Sequence, residues 1–172
     1  MYDRDRGTSF EVNGFTEPDY ALSGDGQRVA YRDGFNDIEV KPLVGGLTLR
    51  ATVSSDGVRA SDASFNPAIS TDGRLCAFSS QAPNLVSDDS NQNVTDIFVH
   101  DFASEQTTRV SLGPSDQQGD GFSFSSSISG DGNTVVFDSE AGNFVQRLEA
   151  PLGVSGVLVM SVRRFSPPVD GV

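Results

Sequence analysis

Oxygen-bearing side chains alternate along one short segment of the chain, DDSNQNVTD at residues 88–96. Asp89, Asn91, Asn93 and Asp96 each carry a hard oxygen, and Ca²⁺ is commonly bound by loops that present such ligands. The same residue types also suit a solvated hairpin loop whose side chains bind the backbone in Asx turns. The segment therefore predicts a polar loop without an obligatory cofactor, with a calcium site as the alternative.

The sequence supplies no recognisable catalytic constellation. His100 is the only histidine, so a Ser-His-Asp triad would have to combine it with Asp101 or a distant acid. Cys76 is also alone, which rules out an intrachain disulfide and makes a zinc site with His100 improbable. No spacing among the 24 acidic residues selects a carboxylate pair for glycoside hydrolysis. We therefore predict no catalytic residues and structural roles for both His100 and Cys76.

One ten-residue pattern occurs three times, as LSGDGQRVAY at 22–31, ISTDGRLCAF at 69–78 and ISGDGNTVVF at 128–137. Asp-Gly between apolar runs predicts a hairpin turn, because glycine readily adopts the positive φ that such turns need. The serine and aspartate side chains can accept hydrogen bonds from nearby backbone N–H groups. The sialidase-type Asp-box differs, since its glycine comes two residues after the aspartate and it ends in tryptophan. The predicted structural turn residues are Ser23, Asp25, Gly26, Ser70, Asp72, Gly73, Ser129, Asp131 and Gly132.

The repeats extend well beyond these turns. SSQAPNLV at 79–86 matches DSEAGNFV at 138–145, and YDRDRGTSFEV at 2–12 lines up with HDFASEQTTRV at 100–110. The turn aspartates are 47 and 59 residues apart, close to the length of a β-propeller blade. Alternation after each turn predicts an apolar face that packs between neighbouring blades. These faces carry Val29 with Tyr31, Cys76 with Phe78, and Val135 with Phe137.

The middle repeat, residues 64–112, contains SxDGxxxAF, SxAxNLV, DIFVHD and TTRVSL in that order. In this order the motifs resemble the TolB-type, WD-repeat-like bacterial β-propeller repeat. The resemblance implies four-stranded blades around a channel, in periplasmic or extracellular proteins that act by binding other proteins. Residues 88–96 also resemble the calcium loop of integrin-type propeller repeats, DxDxDGxxD, but the closing aspartate comes one residue early and Val94 replaces the glycine.

We therefore predict an all-β chain that forms an incomplete β-propeller of about three four-stranded antiparallel blades, some of them partial. About three and a half repeats cannot close a ring, so the remainder of the propeller or self-association is needed to complete it. The apolar run at 153–162 is a strand candidate within the tail. The predicted units are a partial propeller at 1–145, comprising strands of a preceding blade at 1–12, blades at 16–53 and 64–112 and a truncated blade at 122–145, and a divergent C-terminal tail at 146–172.

Charge and hydropathy narrow the choice of partners. The formal net charge of −12 disfavours binding to nucleic acid, which needs a cationic surface. No apolar run is long enough for a membrane span, and the N-terminal residues do not form a secretory signal. The predicted function is a non-catalytic scaffold for protein–protein interaction at the cell envelope or outside the cell. The alternatives are the propeller of a prolyl-oligopeptidase-like hydrolase, whose GxSxG motif is not found in this sequence, and a calcium-stabilised interaction module.

Overall fold

The computed structural model describes residues 19–91 and 94–144, together with the backbone of strands at 2–3, 8–9 and 159–164. This part of the chain contains thirteen strands and no helix, and hence no helix that could cross a membrane. The strands are β1 (Tyr2–Asp3), β2 (Thr8–Ser9), β3 (Tyr20–Leu22), β4 (Arg28–Arg32), β5 (Ile38–Pro42), β6 (Leu49–Arg50), β7 (Ser64–Ile69), β8 (Leu75–Ser80), β9 (Asp96–Asp101), β10 (Gln106–Arg109), β11 (Ser123–Ile128), β12 (Thr134–Ser139) and β13 (Val159–Arg164).

The strands form three antiparallel sheets and one short hairpin. The first sheet has the order β3-β4-β5-β6, the second β7-β8-β9-β10 and the third β11-β12-β13, while β1 pairs only with β2. Each strand pairs with its neighbour in sequence, as expected where short turns connect the strands. The first strands of the three sheets, β3, β7 and β11, lie next to one another in that order. The described sheets do not close into a ring, which confirms the predicted incomplete all-β propeller architecture.

Two apolar layers join the sheets face to face. Strand β8 is buried on both faces, because Cys76 and Phe78 point towards the first sheet while Leu75 and Ala77 point towards the third. The rings of Phe78 and Phe98, which lie opposite each other in β8 and β9, stack with their centroids 5.9 Å apart. The layer between the first and second sheets contains Ala30, Ile38, Val40, Ala51, Ile69, Cys76, Phe78, Ala82, Leu85 and Phe98. The layer between the second and third sheets contains Leu75, Ala77, Ile97, Val99, Val110, Val135, Phe137, Ala141 and Phe144.

The turn aspartates are 47 and then 59 residues apart because the loop between the second and third strands is longer in the second sheet than in the first. Asp37 follows Tyr31 by 6 residues in the first sheet, whereas Asp96 follows Phe78 by 18 residues in the second. The additional residues are not a disordered insertion within the described range, since Ala82 and Leu85 are buried between the two sheets. The longer loop therefore adds packing surface to one end of the second sheet.

The two ends of the chain also contribute strands. In the β1–β2 hairpin Tyr2 faces Ser9 and Asp3 faces Thr8. Between β9 and β10 the corresponding partners are His100 with Thr107 and Asp101 with Gln106. At the other end, β13 pairs with β12 along its whole length, from Val159 opposite Ser139 to Arg164 opposite Thr134. The segment predicted as a divergent tail thus supplies the third strand of the third sheet, beginning six residues later than the apolar run at 153–162.

Candidate functional site

The three Ser-x-Asp-Gly segments form the same closed turn. In each turn the serine hydroxyl donates to the aspartate Oδ1 and accepts the backbone N–H five residues further on, and the aspartate accepts the N–H two residues after itself. Gly26, Gly73 and Gly132 supply the positive φ, at 69°, 69° and 74°. The Ser23 hydroxyl, followed by the Gln27 N–H, holds the pKa of the Asp25 carboxyl below its ordinary value. These aspartates are engaged in closing the turns.

The turns also contact one another across the sheets. The Asp25 N–H donates to the Thr71 carbonyl at 3.0 Å, and the Thr71 N–H donates to the Gly130 carbonyl at 2.9 Å. A Cβ added to Gly24 or Gly130 would lie only 2.6 or 2.5 Å from Thr71 Oγ1. At Gly24 the added Cβ would also lie 3.1 Å from Thr71 Cα, so the close approach of the neighbouring sheets favours glycine there.

Two of the four predicted calcium ligands lie beside a guanidinium group. Asp89 Oδ1 and Asp96 Oδ2 are each 3.9 Å from Arg109 Nη1, and Asp88 Oδ2 is 3.0 Å from Arg109 Nη2. The Gln118 side-chain amide donates to Asp89 at 2.8 Å and to Asp96 at 2.9 Å. Arg109 is only 4% exposed. It therefore supplies a buried positive charge at the place where the sequence suggested a metal cation.

The two predicted asparagine ligands do not join this group. The Asn91 side-chain amide donates to the Gly119 carbonyl at 3.0 Å, and Asn93 lies outside the described residues. Within 19–91 and 94–144, no three acidic, histidine or cysteine side chains are arranged to hold a metal ion. Burial raises the pKa of Asp96, although hydrogen bonds from Ser111 and Gln118 act in the opposite direction. The carboxylates of this loop are already compensated by groups of the protein.

A second buried aspartate occupies the same place in the first sheet, a position that sequence reasoning missed. Asp37 pairs with Arg50 at 3.2 Å and with Arg59 at 2.6 Å, and it accepts the Thr52 hydroxyl at 3.0 Å. The equivalence with Asp96 was available in the sequence, as FNDIEV and VTDIFV. A network that occurs in two sheets favours a structural role. In each sheet it holds the segment that follows the last strand against the start of the third strand. The second sheet uses Arg109 for Arg50, Ser111 for Thr52 and Gln118 for Arg59.

His100 is buried inside the second sheet. Its Nδ1 lies 2.8 Å from Thr107 Oγ1, and its ring packs edge-on against Phe102 with centroids 4.8 Å apart. Burial lowers the pKa of His100, while Glu105 and Asp101 act in the opposite direction. The imidazole is completely inaccessible to solvent. These contacts are consistent with the predicted structural role and give the ring no access to a substrate.

An open groove lies between the first and second sheets, beside the outer strand β10. Its volume is about 570 Å³, within the range of sites that accommodate ligands. Val58, which is 56% exposed, contributes an apolar side chain to the surface. We call this feature the inter-sheet groove. Its lining residues are Ser54, Ser55, Asp56, Val58, Pro83, Asn84, Leu85, Val86, Ser87 and Thr107.

One wall of the inter-sheet groove is the tight hairpin that follows β6. The Ser54 N–H donates to the Val58 carbonyl at 2.8 Å, and Gly57 takes a φ of 76° at the bend. The Ser55 hydroxyl accepts the Thr107 N–H at 3.1 Å, which docks the hairpin onto the outer edge of β10. This contact both fixes the wall and covers an edge that would otherwise be available for strand pairing.

The other wall is the long loop between β8 and β9. The Asn84 side-chain amide donates to the Arg59 carbonyl at 2.8 Å, and its oxygen accepts the Ser61 N–H at 2.9 Å. Leu85 is 1% exposed and joins the apolar layer below the groove. Asn84 thus ties this loop to the segment that follows the hairpin by two hydrogen bonds, which hold the two walls of the groove in place.

The place between the second and third sheets that corresponds to the inter-sheet groove, here called the second junction, is bridged by the Gln117 side chain. Asn143 repeats the Asn84 contacts, because its amide donates to the Gln118 carbonyl at 2.7 Å. Gln117 stands where the first junction has Val58, and its amide donates to the Asn143 carbonyl at 3.2 Å. At this position the two junctions therefore differ among the described residues, with an exposed apolar side chain in the first and a bridging amide in the second.

No protein-family model matches the chain, and no curated protein is matched by it. Solved structures are similar over almost its whole length. The tricorn protease structure covers 93% of this chain with a TM-score of 0.56 at 16% identity, and the match spans 14% of the tricorn chain. TolB from Agrobacterium tumefaciens covers 94% with a TM-score of 0.55 at 20% identity, and the match spans 51% of that chain. The chain has a TolB-like β-propeller fold.

In propeller terms the three sheets are consecutive blades, and the inter-sheet groove lies between the first two. This chain spans about half the length of the Agrobacterium TolB chain and a smaller share of the tricorn chain. At these identities the likeness shows the fold alone. The groove was not predictable from any single motif, because Val58, Pro83 and Thr107 come from three separate segments. The sequence signal that could have found the groove is the valine at position 58, because the next repeat has Gln117 at the equivalent position.

Proposed function

We propose that this chain is a non-catalytic β-propeller module that binds another protein, and that the inter-sheet groove receives a segment of that partner. The observation that carries the proposal is the opening beside Val58 at a junction whose counterpart is bridged by Gln117. An exposed apolar side chain framed by serine and aspartate side chains has the mixed character of a protein-recognition surface.

The rigidity of the groove supports a binding role. Its hairpin wall is held by Ser55 on Thr107, and its loop wall is held by Asn84 on Arg59 and Ser61. A preformed site avoids the entropy cost of ordering loops on association. A partner segment would therefore meet walls that are already in place.

The non-catalytic part of the proposal is supported by the surroundings of the titratable groups. His100 is buried against Thr107, and burial raises the pKa of the Cys76 thiol to about 12, which keeps it protonated and unreactive. The turn aspartates are engaged by their own serines. Thr107 lines the groove and its hydroxyl lies beside the His100 ring, but this hydroxyl donates its proton to the Val53 carbonyl and is therefore not poised as a nucleophile.

The likeness to the tricorn protease favours one second candidate, in which this chain is the propeller part of a larger peptidase. In that case the reactive groups would lie in another part of the protein, and the groove would serve substrate entry or docking. Peptidase activity of the longer protein, lost on mutation of a nucleophile outside these residues, would support it. The resemblance to TolB proteins supports a location at the cell envelope for either role.

The groove is tested by selecting peptides from a random phage-displayed library against the native chain and measuring their affinity for variants. Val58→Gln should lower the affinity of the selected peptides by at least about tenfold. The substitution removes an apolar contact and introduces the side chain that bridges the other junction. Val44→Gln is the matched control, since Val44 is also 56% exposed but does not line the groove. Equal affinity for the native chain and both variants would reject the groove as the binding site.

A further inference from the structure

The lining of the inter-sheet groove has one sign of charge. Asp56 is the only charged side chain among its ten lining residues. No ion pair or hydrogen bond to another described residue engages the Asp56 carboxylate, which is exposed at the bend of the hairpin wall. A carboxylate in this position can be satisfied by a cationic group that a ligand brings with it.

Neighbouring charges strengthen the negative potential instead of cancelling it. Asp88 directly follows the lining residue Ser87, and its side chain is 74% exposed. Asp88, Asp89 and Asp96 share a single arginine, Arg109, so this group keeps a net negative charge. Arg59, which follows Val58, has a half-exposed side chain, but it is paired with the buried Asp37 and does not line the groove. The whole chain carries a formal charge of −12. Approach of a cationic partner is therefore favoured both locally and at long range.

The remaining lining atoms define the apolar part of the ligand. Val58, Pro83 and Val86 form apolar surface in the groove. The Ser54 and Ser55 hydroxyls already accept backbone N–H groups of Val58 and Thr107. Because these hydroxyls are engaged, we expect the choice between ligands to depend on the apolar surface and on Asp56.

We propose that the inter-sheet groove binds an extended cationic segment of a protein, which places an aliphatic side chain against Val58 and a lysine or arginine beside Asp56. This inference rests on the proposed function, because it specifies the ligand class of the same groove. Electrostatic complementarity of this kind contributes selectivity and association rate in addition to affinity.

Three synthetic peptides test the ligand class, all with the pattern Gly-X-Leu-X-Leu-X-Gly, where X is lysine, glutamine or glutamate. Calorimetric titration of the full chain should show binding of the lysine peptide, weaker binding of the glutamine peptide and none of the glutamate peptide. Raising the ionic strength should weaken the binding of the lysine peptide most, because salt screens the attraction between exposed charges. Equal binding of the lysine and glutamine peptides, or no binding of the lysine peptide at millimolar concentration, would overturn the inference.

Two variants separate this inference from the proposed function. Asp56→Asn should lower the affinity for the lysine peptide by about two- to fivefold, as expected for the loss of one exposed ion pair, and leave the affinity for the glutamine peptide unchanged. Glu140→Gln makes the same change in net charge at an exposed position on the third sheet and should have no effect. If Val58→Gln abolishes binding while Asp56→Asn does not alter it, the groove stands and the cationic preference is wrong. If Val58→Gln leaves lysine-peptide binding intact, the groove itself is rejected.

Discussion

Replacing Phe78 with alanine is expected to lower the free energy of unfolding by about 3–5 kcal/mol, the range found when a buried phenylalanine is truncated. Phe78 is completely buried and stacks on Phe98 in the layer between the first and second blades. The loss combines the transfer of the missing ring with the cavity that remains, because blades of rigid sheet cannot fully collapse into the space. Denaturant unfolding followed by circular dichroism measures the effect.

Phe35→Ala is the matched control for this measurement. Phe35 is 77% exposed, so its truncation should change the free energy of unfolding by no more than about 0.5 kcal/mol. Equal effects of the two substitutions would mean that Phe78 does not join two blades and would contradict the described packing.

Replacing Arg109 with methionine is expected to cost roughly 3–5 kcal/mol, because it leaves buried carboxylates without their cation. The side chains of Asp89 and Asp96 are 5% and 1% exposed, and methionine preserves much of the apolar stem of the arginine. Burial already raises the pKa of Asp96 above its ordinary value of 3.8, and the variant should raise it further. Protonation then relieves the penalty, so the destabilisation should be largest near neutral pH and shrink as the pH falls towards 4.

Arg50→Met is the control, since Arg50 holds the equivalent place at Asp37 but is 38% exposed and shares its aspartate with Arg59. Its cost should be clearly smaller. The same melting experiments test the calcium hypothesis, because Arg109 already supplies the positive charge of that loop and calcium should leave the native melting temperature unchanged. A calcium-dependent rise that Asp89→Ala removes would show that the loop does bind the ion.

The blade arrangement was predictable because its signals are local and repeated. Ser70, Asp72 and Gly73 follow rules of turn chemistry that act within six residues, and the same rules apply at the other two turns. The alternation of Cys76 and Phe78 then identifies a face that packs between neighbouring blades. Each of these inferences needs only the geometry of one hairpin, which is why sequence reasoning reached them.

The candidate site could not be predicted in the same way, because it depends on contacts between distant segments. Nothing in the segment at 88–96 indicates that Arg109 and Gln118 will lie against Asp89 and Asp96. From the sequence alone, this segment therefore predicts a polar loop and leaves a calcium site open as the alternative. The groove has the same origin, since its two walls meet only when the hairpin after β6 docks on β10. Tertiary contacts determine both features, whereas the repeat determines where such contacts can form.

The most direct test of the stacked blades is the hydrogen exchange rate of four turn amides, measured by NMR on the native chain. Asp25, Thr71, Asp72 and Asp131 all lie in exposed turns, yet only the Asp25 and Thr71 N–H groups donate to carbonyls of the next blade among the described residues. Stacked blades predict slow exchange for the Asp25 and Thr71 amides and fast exchange for the Asp72 and Asp131 amides. Exchange of Asp25 and Thr71 at the fast rate of the other two would show that the turns do not stack and would contradict the propeller arrangement.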